Sequence, residues 1–90
     1  MSDVTPIRYA NTETLSLRQL DELNRVSKGT TFRLFKRREA ELTEGVDYFY
    51  LSGETHDEMI ESLKQSRQIY ASTVHLILLT RSGYERLRAG

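Results

Sequence analysis

The 90-residue sequence contains no cysteine, no tryptophan and only one proline. Without cysteine, the chain has no disulfide framework, no thiolate zinc site and no cysteine nucleophile. Its two histidines, His56 and His75, are too far apart for an HxxxH-type metal motif, and glycine-rich phosphate loops, GxSxG and HExxH are also missing. We therefore expect a protein that is not an enzyme and that uses no metal or cofactor.

Long hydrophobic runs are also missing. The longest, Leu76 to Leu79, falls far short of the roughly 18 apolar residues of a membrane-spanning helix. The first residues have neither the basic nor the apolar region of a signal peptide. With 38% hydrophobic and 29% charged residues, the composition is that of a small globular domain. We expect one cytoplasmic domain over residues 1–90, either whole or the N-terminal part of a longer protein, with no membrane partner.

Charge is distributed unevenly, although 13 basic and 13 acidic residues give no net charge. Residues 25–38 contain six basic residues and no acid, whereas residues 39–63 contain eight acids and no lysine or arginine. Two interpretations remain open. The two blocks are solvated faces that pair with each other, or they form a dipolar surface whose basic part binds nucleic acid.

Residues 17–42 are expected to form two helices joined by a turn. Ser16 and Gln19 have the spacing of a capping box, which predicts a first helix over residues 17–25. Gly29 permits a tight turn with positive φ. Ser27 or Thr30 can then cap a second helix, expected over residues 30–42.

The second helix is predicted to have two chemically different faces. Phe32, Phe35 and Leu42 fall on one side when residues are placed about 100° apart, and this side is the expected core face. Thr30 and the basic residues of the helix lie on the opposite side: Arg33, Lys36 and Arg37.

Short strands flank this helix pair. We expect strands at Ile7 to Tyr9, at residues 46–51 and at residues 73–79, because these stretches are rich in aromatic or β-branched residues. Ser82 and Glu85 have the spacing of another capping box, which predicts a C-terminal helix. The order predicts an α+β fold, a small winged helix-turn-helix with the helix pair packed on a short antiparallel β-sheet.

A helix-turn-helix places its second helix in the major groove of DNA. Arg33 and Arg37 are suited to bidentate contacts with guanine, and threonines at the helix N-terminus suit phosphates or thymine methyl groups. Lysine and arginine side chains at the edges suit phosphates. The predicted DNA contacts in this region are Lys28, Thr30, Thr31, Arg33, Lys36, Arg37 and Arg38.

The polar residues 52–73 separate the last two strands. If those strands form a hairpin, Lys64 and Arg67 lie near the tip of a wing and contact phosphates; a surface loop with incidental charges is the alternative. Residues 54–63 also have an acidic helical pattern, in which Asp57 and Glu61 share a face. No second set of ligands accompanies these carboxylates, which favours a solvated acidic face over a catalytic or cation site.

The segment LTEGVDYFYL at residues 42–51 resembles the L-x-E-G-x-D-Y-F-x-L motif of the open-reading-frame-six N-terminal family, which is related to the KilA-N and Bro-N domains. Residues 76–83, LILLTRSG, are similar to the L-x-L-x-T-x-x-G element of that family, and the helix pair resembles its helix-turn-helix portion. The resemblance implies a DNA-binding domain of a phage or prophage transcriptional regulator or antirepressor, acting at the nucleoid of a bacterial host. It also implies a C-terminal effector module as a frequent attachment.

Sequence-specific binding of double-stranded DNA is thus the first functional hypothesis. The alternative is a protein-interaction module that binds a repressor or another basic partner through the acidic face of residues 54–61. RNA binding is a weaker third hypothesis, because no aromatic RNP-type strand motif is present. Palindromic DNA sites require two copies of such a domain, which makes a homodimer a further expected partner.

Overall fold

The computed structural model describes residues 5–89, so the first four residues, which carry part of the argument against a signal peptide, lie outside the described residues. The chain forms an α+β fold, as predicted. Its elements are β1 (Ile7–Tyr9), β2 (Thr12–Ser16), α1 (Leu17–Leu23), α2 (Thr30–Arg38), a 3-10 turn (Glu39–Glu41), β3 (Tyr48–Leu51), α3 (Asp57–Gln65), β4 (Leu76–Thr80) and α4 (Arg81–Ala89). Within residues 5–89, no helix combines the length and apolar character that crossing a membrane requires.

The four strands form one antiparallel sheet in the order β1-β2-β4-β3. Strand β1 was predicted, whereas β2 was not. A two-residue hairpin joins them through Ala10 and Asn11, whose φ angles of 52° and 61° are those of the primed turns that suit twisted strands. Strand β4 pairs with β2 on one side and β3 on the other, and all five of its residues are buried.

The sheet carries an apolar core on each face. On one face, Ile60 and Leu63 of α3 pack against a cluster that includes Leu76 and Leu78 of β4. The other face holds a second cluster, contributed by α1, α2, α4 and the sheet: Leu20, Phe35, Leu42, Tyr48, Ile77, Leu79 and Leu87. The alternation of side chains along β4 therefore places α3 on one side of the sheet and α1, α2 and α4 on the other.

The predicted core face of α2 is partly wrong. Phe35 is buried, and its ring packs edge-on against that of Tyr48 with the ring centres 4.9 Å apart. Leu42, beyond the end of the helix, is buried in the same cluster. Phe32 is instead 44% exposed, because the side of α2 that faces the core is centred on Thr31 and Phe35. The helix also ends at Arg38, earlier than expected.

The expected wing is also corrected. Strands β3 and β4 pair with each other, but the connection between them contains α3 rather than an extended hairpin tip. Residues 57–65 are helical because Ile60 and Leu63 recur on one side and bury themselves against the sheet. The Lys64 side chain pairs with Glu61 of the same helix at 3.7 Å.

The start of α4 is tied to the loop before β3. The helix begins at Arg81, and the hydroxyl of Thr80, rather than that of Ser82, accepts the N–H of Gly83 at 3.2 Å. The carbonyl of Asp47 accepts both the N–H and the hydroxyl of Thr80 at 3.0 Å, and the buried Asp47 carboxylate accepts the Ser82 hydroxyl at 2.9 Å. Asp47 thus attaches the loop before β3 to the start of α4.

Gly83→Ala is expected to destabilise the protein by about 1–3 kcal/mol, the usual range for overpacking. A Cβ atom at this position would lie 1.8 Å from the backbone oxygen of Asp47, so the loop or the helix would have to move. Helix propensity alone predicts the opposite, a gain of about 1 kcal/mol for alanine. Urea unfolding distinguishes these two expected changes in stability. Glu85→Ala, an exposed substitution in the same helix, is the control and should change stability by less than about 0.5 kcal/mol.

Candidate nucleic-acid interface

The N-terminus of α2 is held by a buried carboxylate of α1. Asp21 is 1% exposed, and its two oxygens accept the backbone N–H groups of Gly29 at 3.0 Å and Thr31 at 2.9 Å. Gly29 has a φ of 90°, the left-handed conformation that glycine adopts without strain, as its predicted place in a tight turn requires. Asp21 therefore caps the second helix in place of Ser27 or Thr30, the residues expected to do so. Because Asp21 belongs to α1, these hydrogen bonds also fix α2 relative to α1.

A third hydrogen bond links Asp21 to the segment before β4. The hydroxyl of Tyr70 donates to the Asp21 carboxylate at 2.6 Å. Burial by itself raises the pKa of Asp21, but the hydrogen bonds from Tyr70, Thr31 and Gly29 outweigh it and hold that pKa below its ordinary value of 3.8. Burial and the neighbouring Asp21 carboxylate raise the pKa of Tyr70, so its hydroxyl remains a donor.

The exposed side of α2 is basic. Arg33, Lys36 and Arg37 are all exposed, while Thr31 and Phe35 face the interior. Lys36 pairs with Glu39 at 3.0 Å, at the far end of the helix. Among residues 5–89, no carboxylate pairs with Arg33 or Arg37, so both guanidinium groups have their charge available to a ligand.

The remaining predicted residues near α2 occupy its edges. The hydroxyl of the half-buried Thr30 lies 3.4 Å from a guanidinium nitrogen of Arg33, on the exposed side of the helix. Lys28 is exposed in the connection before the helix, and its ammonium group lies over the ring of Tyr70 at 5.0 Å. Arg38 is half-buried and pairs with Glu41 at 3.1 Å, which leaves its charge partly neutralised.

Thr31 is a correction to the predicted contacts. Its side chain is only 5% exposed, and its backbone N–H is bonded to Asp21. It lies on the interior side of α2 because it is one residue, and so about 100°, away from Thr30 on the helix. A thymine methyl group or a phosphate therefore has no access to it.

Lys64 and Arg67 are a second correction. Lys64 lies on α3, which covers the opposite face of the sheet from α2, and Arg67 follows the end of that helix with a φ of 63°. Lys64 is therefore on the other side of the sheet from the basic side of α2. Because α3 replaces the expected hairpin tip, neither Lys64 nor Arg67 lies at the tip of a wing.

Sequence reasoning missed Asp21 and Tyr70, which position the second helix. The two residues are 49 positions apart, so no local pattern connects them. The available signal was a charged residue within an otherwise apolar stripe of α1, eight positions before the turn glycine. The predicted acidic face also lies on α3, and within residues 5–89 no three histidine or carboxylate side chains are grouped closely enough to hold a metal ion.

Comparison with protein-family models, curated proteins and solved structures gives no significant match to this chain. The resemblance of residues 42–51 and 76–83 to the open-reading-frame-six N-terminal family therefore remains a prediction.

Asp21→Asn is expected to destabilise the protein by about 1.5–3 kcal/mol at neutral pH, the range for hydrogen bonds that involve a charged group. Because the pKa of Asp21 is lowered by folding, its carboxylate contributes stability above its unfolded value of 3.8, and this contribution is lost as the pH falls through the folded pKa. The stability difference between the wild type and the variant should therefore shrink below pH 3.8. Urea unfolding at several pH values measures it. A difference that is the same at pH 7 and pH 3 would contradict the role of the charge.

Proposed function

We propose that this domain binds double-stranded DNA sequence-specifically, with α2 in the major groove. The observation that carries the proposal is the exposed side of α2, on which Arg33 and Arg37 have no carboxylate partner within residues 5–89 and Lys36 lies beside them. A helix that buries one side against its neighbour and presents arginines on the other has the chemistry for guanine recognition.

The rigidity of the helix pair supports the proposal. Specific base contacts require a recognition helix that is held in place before DNA arrives, because ordering it on binding costs affinity. Asp21 supplies this constraint through the N–H groups of Gly29 and Thr31. The connection over residues 24–29 is longer than the three or four residues of a usual helix-turn-helix, and the Asp21 hydrogen bonds compensate for its length.

The lack of net charge does not oppose this function. The acidic residues of α3 lie on the other side of the sheet from α2, so their negative charge faces away from a DNA molecule bound to α2. In this proposal the phosphate contacts come from Lys36 and Lys28 and the base contacts from Arg33 and Arg37, with Thr30 beside them. A palindromic site would require two copies of the domain.

A second candidate function uses the acidic side. Asp57, Glu58 and Glu61 are exposed on α3, and Lys64 pairs with only one of them. A basic protein, such as a repressor, is the partner that this surface favours, as in an antirepressor. The two functions use opposite sides of the sheet and are compatible in one phage or prophage regulator.

Replacing Arg33, Lys36 and Arg37 together with alanine is expected to abolish binding to mixed genomic duplex DNA. Wild-type binding should weaken steeply between about 50 mM and about 200 mM salt, because each neutralised phosphate adds about 0.9 to the salt slope. Fluorescence anisotropy measures both effects. The control, Lys64→Ala, removes one positive charge from α3 on the other side of the sheet and should leave binding nearly unchanged. Comparable losses per charge removed in the two variants would show only a general effect of charge.

Arg33→Ala alone is expected to cost about 1–3 kcal/mol on a selected site and to relax specificity at one base position. The reason is that a bidentate arginine contact with guanine discriminates against the other bases. Binding to a set of sites that differ at single positions tests this expectation. A uniform loss on all sites would identify Arg33 as a phosphate contact instead.

A further inference from the structure

A cleft of about 360 Å³ opens beside the N-terminus of α2. Its lining is largely apolar and includes Leu17, Phe32, Tyr70, Val74 and Ile77. Two of these side chains are unusually accessible for their type, Phe32 at 44% and Val74 at 67% exposed. The volume lies within the range of about 300–1,000 Å³ typical of sites for small molecules.

The charge at this cleft is positive. Arg18 and Lys28 both line it, with their charged groups 5.6 Å and 5.0 Å from the centre of the Tyr70 ring. The one acidic residue in the lining is Asp21, whose carboxylate is buried and already accepts three hydrogen bonds. Arg18 is partly neutralised by Glu22 at 3.1 Å, whereas Lys28 has no carboxylate partner among residues 5–89. An anion at the rim would therefore meet Lys28 first.

Hydrogen-bond donors complete the lining. The Nδ1 atom of His75 accepts the N–H of Gly53 at 3.1 Å, so in the neutral ring the proton is on Nε2 and that atom is a donor. The cleft is also lined by the hydroxyl-bearing residues Ser72 and Thr73. An apolar surface with a cation and several donors at its rim matches a ligand that has a hydrophobic body and a negative group.

We propose that this cleft binds a small organic anion with a ring-containing apolar body. The anionic group lies against the Lys28 ammonium, and the rings contact Phe32, Tyr70 and Val74. Lys28 is free to make this contact, because its cation–π interaction with the face of the Tyr70 ring is weak compared with a charge-assisted hydrogen bond.

Binding in the cleft would be communicated to α2. Tyr70, which the ligand contacts, donates to the same Asp21 carboxylate that holds the N–H groups of Gly29 and Thr31. A ligand that holds Tyr70 in place therefore also stabilises the attachment of α2. Slower hydrogen exchange at the Gly29 and Thr31 amides is the expected sign of this coupling.

The test uses anilinonaphthalene sulfonate, an anionic aromatic fluorophore, and the neutral N-phenylnaphthylamine, which has the same rings without the sulfonate. We expect the anionic probe to bind with a stoichiometry of one and about tenfold more tightly than the neutral probe, the change that one additional favourable ionic contact can supply. The anionic probe should also raise the urea midpoint of the protein, because a ligand of the native state stabilises it. A lowered midpoint would mean that the probe binds unfolded chain, and this would overturn the proposal.

Two pairs of variants locate the site. Lys28→Gln is expected to weaken the binding of the anionic probe by about tenfold and to leave the binding of the neutral probe unchanged. Lys64→Gln, on the other side of the sheet, should change the binding of neither probe. Val74→Ser should weaken the binding of both probes. Val46→Ser, which alters a similarly exposed valine outside the cleft, should weaken the binding of neither. Equal effects within either pair, or equal affinity for the two probes, would overturn the proposal. No DNA is present in these experiments, so their outcome is independent of the proposed DNA binding.

Discussion

The buried carboxylate of Asp21 determines where α2 lies. An ion removed from water is costly unless its oxygens are hydrogen-bonded, and here three donors from two other parts of the chain supply those bonds. Since two of the donors are the N–H groups of Gly29 and Thr31, the start of α2 cannot move away from α1 without leaving a buried charge unsatisfied. The orientation of Arg33 and Arg37 on the outside of the molecule follows from this attachment.

The layered fold also explains how a chain without net charge can have a basic surface. The sheet separates the acidic helix α3 from the basic helix α2, and the molecule measures 23 Å across its smallest dimension. Salt at physiological concentration screens charges over about 8 Å, so the acids of α3 have little effect on an anion at α2. A charge count for the whole sequence is therefore a poor guide to what the domain binds, and the position of each charge relative to the sheet is a better one.

Local patterns predicted the elements that depend on local interactions. The Ser16–Gln19 capping box starts α1 as expected, and the apolar run of β4 is the central strand. Strand β2 was missed because it is polar in sequence: Thr14 is buried only because its hydroxyl donates to the carbonyl of Ile7 on the neighbouring strand. The Asp21–Tyr70 hydrogen bond was missed for the same reason, since its value depends on a partner that only the folded chain brings near. Helical periodicity correctly placed Arg33, Lys36 and Arg37 on the exposed side of α2. It could not show that the core side is centred on Thr31 and Phe35 and so leaves Phe32 exposed.

The motif residues that resemble those of a known family have structural roles in this fold. Gly45 has a φ of 90° in the loop that leads to Asp47. The Asp47 carbonyl accepts a hydrogen bond from Thr80 and approaches Gly83 so closely that a larger residue would clash with it. These residues lock the loop before β3 onto the start of α4, and none of them belongs to the exposed side of α2. In this fold these motif residues therefore stabilise the scaffold. Under the proposed function, chains that share them can share the fold while differing at the position of Arg33, and so differ in the DNA that they would bind.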